Sequence, residues 1–315
     1  LSYPDRRTRL DAALTLARAT PRDYFAGSGD VVPLLASAVR TAGELYAVVI
    51  ADDAEDGRVE ASRLEDLGFT VVAQGPTASD VLPAATDVAS LDLVVVNMDS
   101  GEAAVQANAD VRASRIGRVA PVMLVVPGVD VPQLALEYRA DARTAVTRPL
   151  DEAAFAAEVE ELLRRGAGGR LSGGEAERYA IEALAALRDV AIADTPAFDV
   201  VDAEPSLLDA LAARSGGTRM LVADVLALMR SSTAQQALFE AALDAGDPGE
   251  QIDLLTRVAD SVKRFGNLAE PRHVDALVRL VAGSEDDVAE AAALVHGALN
   301  RDPAAAVGFV DGGDG

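Results

Sequence analysis

Between Leu45 and Arg165 short apolar runs alternate five times with stretches of helical periodicity, and this alternation limits the fold more than any other feature. Tyr46–Ala51 is a short run rich in β-branched residues, as expected of a strand covered on both faces. Further strands are expected at Phe69–Ala73, Leu91–Asn97, Pro121–Val126 and Arg143–Thr147. Helices are expected at Glu55–Leu67, Ala78–Ala85, Glu102–Arg112, Val131–Arg139 and Asp151–Arg165, with Gly68 closing the first. Five βα units predict a doubly wound parallel sheet whose functional edge lies at the carboxyl ends of its strands.

Helices flank this segment on both sides. Tyr3-Pro4-Asp5 reads as a helix start, and Leu10, Ala13, Leu14 and Ala17 follow at helical spacing until Pro21. After the loop Gly27-Ser28-Gly29, a second helix runs through Val32, Leu34, Leu35 and Val39. Residues 166–174 (Gly166 to Gly174) read as a Gly-rich linker. Beyond it helices are expected at Glu175–Ala193, Pro205–Arg214, Thr218–Met229, Ala234–Asp244, Glu250–Arg264, Arg272–Val281 and Asp286–Asn300. Ala203-Glu204-Pro205 through Leu211 is echoed 66 residues on by Ala269-Glu270-Pro271 through Leu277, or two units of about 33 residues, a period typical of α-solenoids. Residues 303–315 read as a flexible tail.

Composition narrows the function classes. The net charge of −23 and pI near 4.4 repel nucleic-acid backbones and anionic lipid, which leaves protein partners or self-association. Cysteine is absent, so disulfides, thiol nucleophiles and Cys-ligated metals are excluded. Lys263 is the only lysine. No apolar run reaches the length of a membrane span. The chain opens on Leu1, so a trimmed amino terminus is expected; the compartment leans to the cytoplasm, with export left open.

The order of landmarks in residues 45–165 resembles the receiver domain of two-component response regulators: acids after strand one, Asp92-Leu93-Val94-Val95-Val96 into strand three, and Arg148-Pro149 after strand five. In that family the acids hold Mg²⁺, an Asp ending strand three accepts phosphate, a Thr or Ser ends strand four, and a Lys grips the phosphoryl group. The resemblance places Asp52 and Asp53 at the acidic pair, Asn97 at the acceptor, Val126 at the hydroxyl and Arg148 at the lysine. An amide is a poor nucleophile and a poorer Mg²⁺ ligand than a carboxylate, and valine cannot hydrogen-bond a phosphoryl oxygen. Arg148 keeps the charge without the compact ammonium. The site therefore reads as retired, with Asp52 and Asp53 as strand-end acids partnered by Arg148. Asp99 is the alternative acceptor, and Asp52 with Asp53 the only candidate Mg²⁺ ligands.

The flanks resemble HEAT repeats. Tyr3-Pro4-Asp5-Arg6-Arg7-Thr8-Arg9-Leu10-Asp11-Ala12-Ala13-Leu14 is similar to the second helix of such a repeat, and the helix pairs after Gly174 are similar to further repeats. That resemblance implies packing rather than catalysis. The order also resembles large bacterial HEAT-repeat proteins that carry such an inserted domain.

Other motifs carry less. Leu171-Ser172-Gly173-Gly174-Glu175 is similar to the ABC-ATPase signature peptide, but no Gly-x-x-x-x-Gly-Lys-Ser/Thr accompanies it. Ser172 with Glu175 reads instead as a helix-capping pair. His273 and His296 lack the spacing of a zinc site; His273, near the helix-opening Pro271, is expected to be exposed.

The fold class expected is α/β plus all-α: a five-stranded doubly wound parallel sheet, receiver or flavodoxin-like, flanked by HEAT-like α-solenoid helices. The divisions are a helical pair at 1–44, the α/β domain at 45–165, the linker at 166–174, the solenoid at 175–302 and the tail at 303–315. The function expected is a non-catalytic scaffold that binds protein. The alternative is a signalling regulator whose receiver still answers to phosphorylation or Mg²⁺.

Overall fold

The computed structural model describes residue 3 and residues 5–40, 45–88, 91–283 and 286–299. The expected tail at 303–315 lies outside the described residues. Two helices, α1 (Arg6–Arg18) and α2 (Val31–Arg40), precede the sheet. Then come β1 (Leu45–Ala51), α3 (Ala54–Asp66), β2 (Phe69–Gly75), α4 (Ala78–Val81), β3 (Leu93–Asn97) and α5 (Gly101–Ala113). The alternation ends with β4 (Val122–Val125), α6 (Val131–Glu137), β5 (Thr144–Thr147) and α7 (Glu152–Ala167). Among the described residues only helices follow: α8 (Gly173–Ala193), α9 (Glu204–Ala213), α10 (Gly216–Leu226), α11 (Ser232–Asp244), α12 (Pro248–Phe265), α13 (Pro271–Gly283) and α14 (Asp286–Leu299). The chain divides into two compact units, one drawn from Leu1–Thr15 and Thr41–Tyr179, the other from Leu16–Arg40 and Ala180–Gly315. The divisions fall inside α1, after α2 at Arg40, and inside α8 rather than in the glycine-rich stretch.

In the first unit the strands form one all-parallel sheet in the order β2-β1-β3-β4-β5. One face buries Val48, Ile50, Val94, Val96 and Leu124 against Val81, Ala104, Val111 and Leu134 from α4, α5 and α6. The other buries Val49, Val95, Met123 and Ala145 against Leu64 of α3 and Phe155, Val159 and Leu162 of α7. Both faces are covered, which is why the inner strands read as unbroken apolar runs. Each fully buried Val, Leu or Phe contributes about 1.5–3 kcal/mol, so these two layers dominate the unit's stability.

Several boundaries move for local reasons. The helix expected through Ala85 is a single turn, because Pro83 has no N–H to continue the ladder; a 3₁₀ turn spans Pro83–Asp87. Strand β2 runs on to Gly75, paired with Ile50. Strand β3 starts at Leu93 rather than Leu91, and Asp92 spends its side chain elsewhere. Its Oδ2 accepts from the Tyr46 N–H at 2.9 Å, while Oδ1 accepts from Arg6 Nη1 of α1 at 3.2 Å. Asp92 and Arg6 are both nearly buried, so each needs the other.

The expected linker is a short ordered corner, since α7 continues to Ala167 and α8 begins at Gly173. Gly168 (φ +78°) turns the chain in the left-handed region, and a Cβ there would strike the Asp5 carboxylate. Arg7 donates to the carbonyls of Gly168 at 2.7 Å and Arg170 at 3.1 Å. Ser172 and Glu175 form the expected capping pair: the Ser172 N–H donates to Glu175 Oε2 at 2.9 Å, and the Glu175 N–H to Ser172 Oγ at 3.3 Å.

In the second unit α2 packs on α9, and helices α9 to α14 touch in a regular ladder. Neighbours pair as α9 with α10, α11 with α12 and α13 with α14, while α9 meets α11, α11 meets α13, α10 meets α12 and α12 meets α14. Polar contacts repeat the step: Arg257 Nε donates to Asp224 at 2.9 Å, and Leu268 N–H to Gln235 Oε1 at 2.7 Å, each 33 residues apart. Pro205 and Pro271 open α9 and α13, so the 66-residue echo skips one helix pair. His273 is buried, not exposed: it stacks on Phe239 with centroids 5.6 Å apart and planes at 11°. No helix among the described residues is long and apolar enough to cross a membrane.

Candidate functional site

Ala51, Asn97, Val125 and Thr147 lie across from one another at the carboxyl ends of β1, β3, β4 and β5. Asp52, Asp53, Val126 and Arg148 each follow directly, so all five candidate positions share one sheet edge. Since β2 and β3 flank β1 on opposite sides, that edge includes the switch point where doubly wound sheets bind ligands.

The side chains there are committed to backbone. Asp53 is the N-cap of α3, and its Oδ1 accepts from the Glu55 N–H at 2.7 Å and the Asp56 N–H at 3.1 Å. The Asp56 and Glu55 amides hold its carboxyl below the usual range, because they favour the anion. Asp52 Oδ2 accepts from the Asp99 N–H at 2.9 Å, and Oδ1 from the Asp53 N–H at 3.1 Å. Among the described residues neither acid pairs with Arg148, which is exposed. Backbone amides, not the arginine, are their partners. The Asp99 side chain is also exposed, and its backbone links the β3 end to β1.

Asn97 is half-buried, and its Nδ2 donates over a long 3.5 Å to Glu60 Oε1. Glu60 is the residue that sequence reasoning missed. It lies on α3 between Val59 and Ala61, and only 4% of it is exposed. Its Oε2 is buried without a hydrogen-bond partner, and Oε1 also faces Arg63 Nη1 at 3.5 Å. Burial pushes its carboxyl pKa up, with Arg63 opposing. The available signal was helical spacing: Gly57, Glu60, Ala61 and Leu64 share the buried side of α3.

Val126 is 1% exposed and packs in the core with Val96, Leu124 and Leu134. Its side chain presents nothing to the edge. These donors do not fit a Mg²⁺ of the receiver kind: the position ending β3 supplies a neutral amide turned to Glu60, and Asp53 already caps a helix. Among the described residues no three His, Cys, Asp or Glu are grouped as metal ligands. Comparison with protein-family models, with curated proteins and with solved structures finds no match to this chain.

Proposed function

We propose that the protein is a non-catalytic scaffold that binds other proteins, built from a HEAT-like α-solenoid and a receiver-like domain that takes up no phosphoryl group. The observation that carries this reading is the Asn97–Glu60 contact at the end of β3. An acceptor carboxylate at that position would stand 3.5 Å from a second, buried one, whereas an amide complements it. The buried Val126 and the helix-capping Asp53 support the same reading from two more positions. The laddered contacts of α9 to α14 support a solenoid, in which each helix pair buries its apolar side only against a stacked neighbour.

Beryllofluoride or acetyl phosphate with Mg²⁺ tests the reading. The expected result is no Mg²⁺-dependent binding and no phosphorylated species by intact mass. Mg²⁺-dependent beryllofluoride binding that is lost on Asp53→Ala would replace the scaffold with a responsive signalling domain.

A further inference from the structure

A groove of about 760 Å³ runs between α5 and α6 in the α/β unit. Ala103, Val105 and the buried Leu134 give it an apolar surface, while Glu102, Asp130 and Glu137 line it with carboxylates. Gly101 lets the two helices start close together, since a Cβ there would come within 3.1 Å of Asp130 Cβ and 3.3 Å of Leu134 Cδ1. The Gly101 N–H donates to Asp130 Oδ2 at 3.0 Å, which fixes the head of the groove. Val129 and Leu136 adjoin Asp130 and Glu137 in the chain and are 85% and 65% exposed, so apolar surface continues beside it.

The charge of the groove has one sign. Among the described residues no arginine, lysine or histidine lines it. Three other grooves each hold both signs, with Arg164 and Asp141 in one, Arg230 and Asp194 in another, and Arg188 and Asp260 in a third. Glu102 and Glu137 are exposed, and among the described residues neither pairs with a base. Because α5 and α6 start just beyond the carboxyl ends of β3 and β4, the head of the groove lies at the sheet edge. That edge carries Asp52, Asp53 and Asp99 as well as Arg148.

We infer that this groove docks a basic segment of a partner protein, one with an aliphatic side chain among its arginines or lysines. Glu102 and Glu137 meet the cations, and Val105 and Leu134 receive the aliphatic group. The field of a chain at −23 draws such a segment in. The same field opposes a nucleic acid, an acidic peptide and a second copy of this chain. The inference rests on the protein-binding reading above and names the chemistry of the partner.

Phage selection of random short peptides on the full chain, followed by anisotropy with the enriched peptides, tests it. Enriched sequences should place Arg or Lys within a few residues of Leu, Ile or Val. They should bind with Kd of about 1–50 µM and weaken with added salt. Glu102→Lys and Glu137→Lys should each weaken binding about tenfold, and the shape-keeping Glu102→Gln and Glu137→Gln about threefold. Glu65→Lys, at an exposed acid of α3 outside the groove, makes the same change in net charge and should weaken binding less than about twofold. Val105→Ala should weaken it about threefold without changing the salt dependence. Unchanged far-UV circular dichroism and melting would show that these substitutions leave the fold intact. Failure to enrich a basic family overturns the inference. Basic peptides that lose as much affinity on Glu65→Lys as on Glu102→Lys overturn the groove, because the field of the whole chain then accounts for them. That second outcome leaves the protein-binding reading in place.

Discussion

Arg7 and Glu175 are 168 residues apart and meet as a two-point fork, Nε to Oε1 at 2.9 Å and Nη2 to Oε2 at 3.0 Å. The same guanidinium caps the carbonyls of Gly168 and Arg170, so one side chain holds α1, the corner after α7 and the start of α8. In the same first unit Tyr179 donates its hydroxyl to Asp11 Oδ1 at 3.0 Å, one turn further along both helices.

Acid titration should expose this fork. Arg7, then the Ser172 amide and hydroxyl, hold the Glu175 carboxyl down to about 2 from its ordinary 4.5. A depressed folded value stabilises above the unfolded one, so the contribution is complete above about pH 4.5 and is lost as pH falls towards 2. Arg7→Ala should lower the melting temperature by roughly 3–6 °C at pH 7, with the gap narrowing below pH 4. A gap that stays constant across a pH series of melts would contradict this.

Glu60 titrates with the opposite sign. Burial raises its folded pKa above 4.5, so its effect on stability is most favourable below that value and declines as pH rises through the raised one. Glu60→Gln should flatten this decline in urea denaturation while matching wild type at low pH. Asn97→Asp places a second carboxylate beside Glu60 and should cost about 1–2 kcal/mol at pH 7, less in acid.

Gln235 is fully buried between α11, α12 and the loop that follows. Its Nε2 donates to Ser261 Oγ at 3.1 Å and the Gly266 carbonyl at 3.2 Å, and its Oε1 accepts from the Leu268 N–H. Gln235→Leu keeps the volume but strands three polar groups, so a loss of about 2–3 kcal/mol is expected. Hydrogen exchange should show the Leu268 amide losing protection first.

His273 takes the place that Glu occupies in an ordinary capping pair. Its Nδ1 accepts from the Glu270 N–H at 3.3 Å, three residues back at the start of α13. His273→Ala removes this acceptor and the Phe239 stack, and should cost about 2–3 kcal/mol by thermal or urea unfolding. His273→Phe restores the stack alone and should recover only part of the loss.

Strand order apart, the α/β unit was legible before any coordinates, because apolar runs and helical periodicity are local patterns. Val48, Val95 and Met123 could be placed in a covered sheet from neighbours alone. The identities Asn97, Val126 and Arg148 were equally legible, since they follow from counting along strands. The partners of Asp52 and Asp53 were not, because an acid at a helix start and an acid beside an arginine look alike in sequence. The burial of His273 and Glu60 also escaped, since a polar residue on a helix shows its face only when a second element covers it. Gly166 to Gly174 misled for the same reason: glycine signals a turn, while order there comes from Arg7, far away in the chain. Sequence by itself determined the elements and the residue types that stand at the sheet edge. Tertiary structure alone decided which charges meet, because contacts such as Arg7–Glu175 and Arg6–Asp92 close loops that no local pattern encodes.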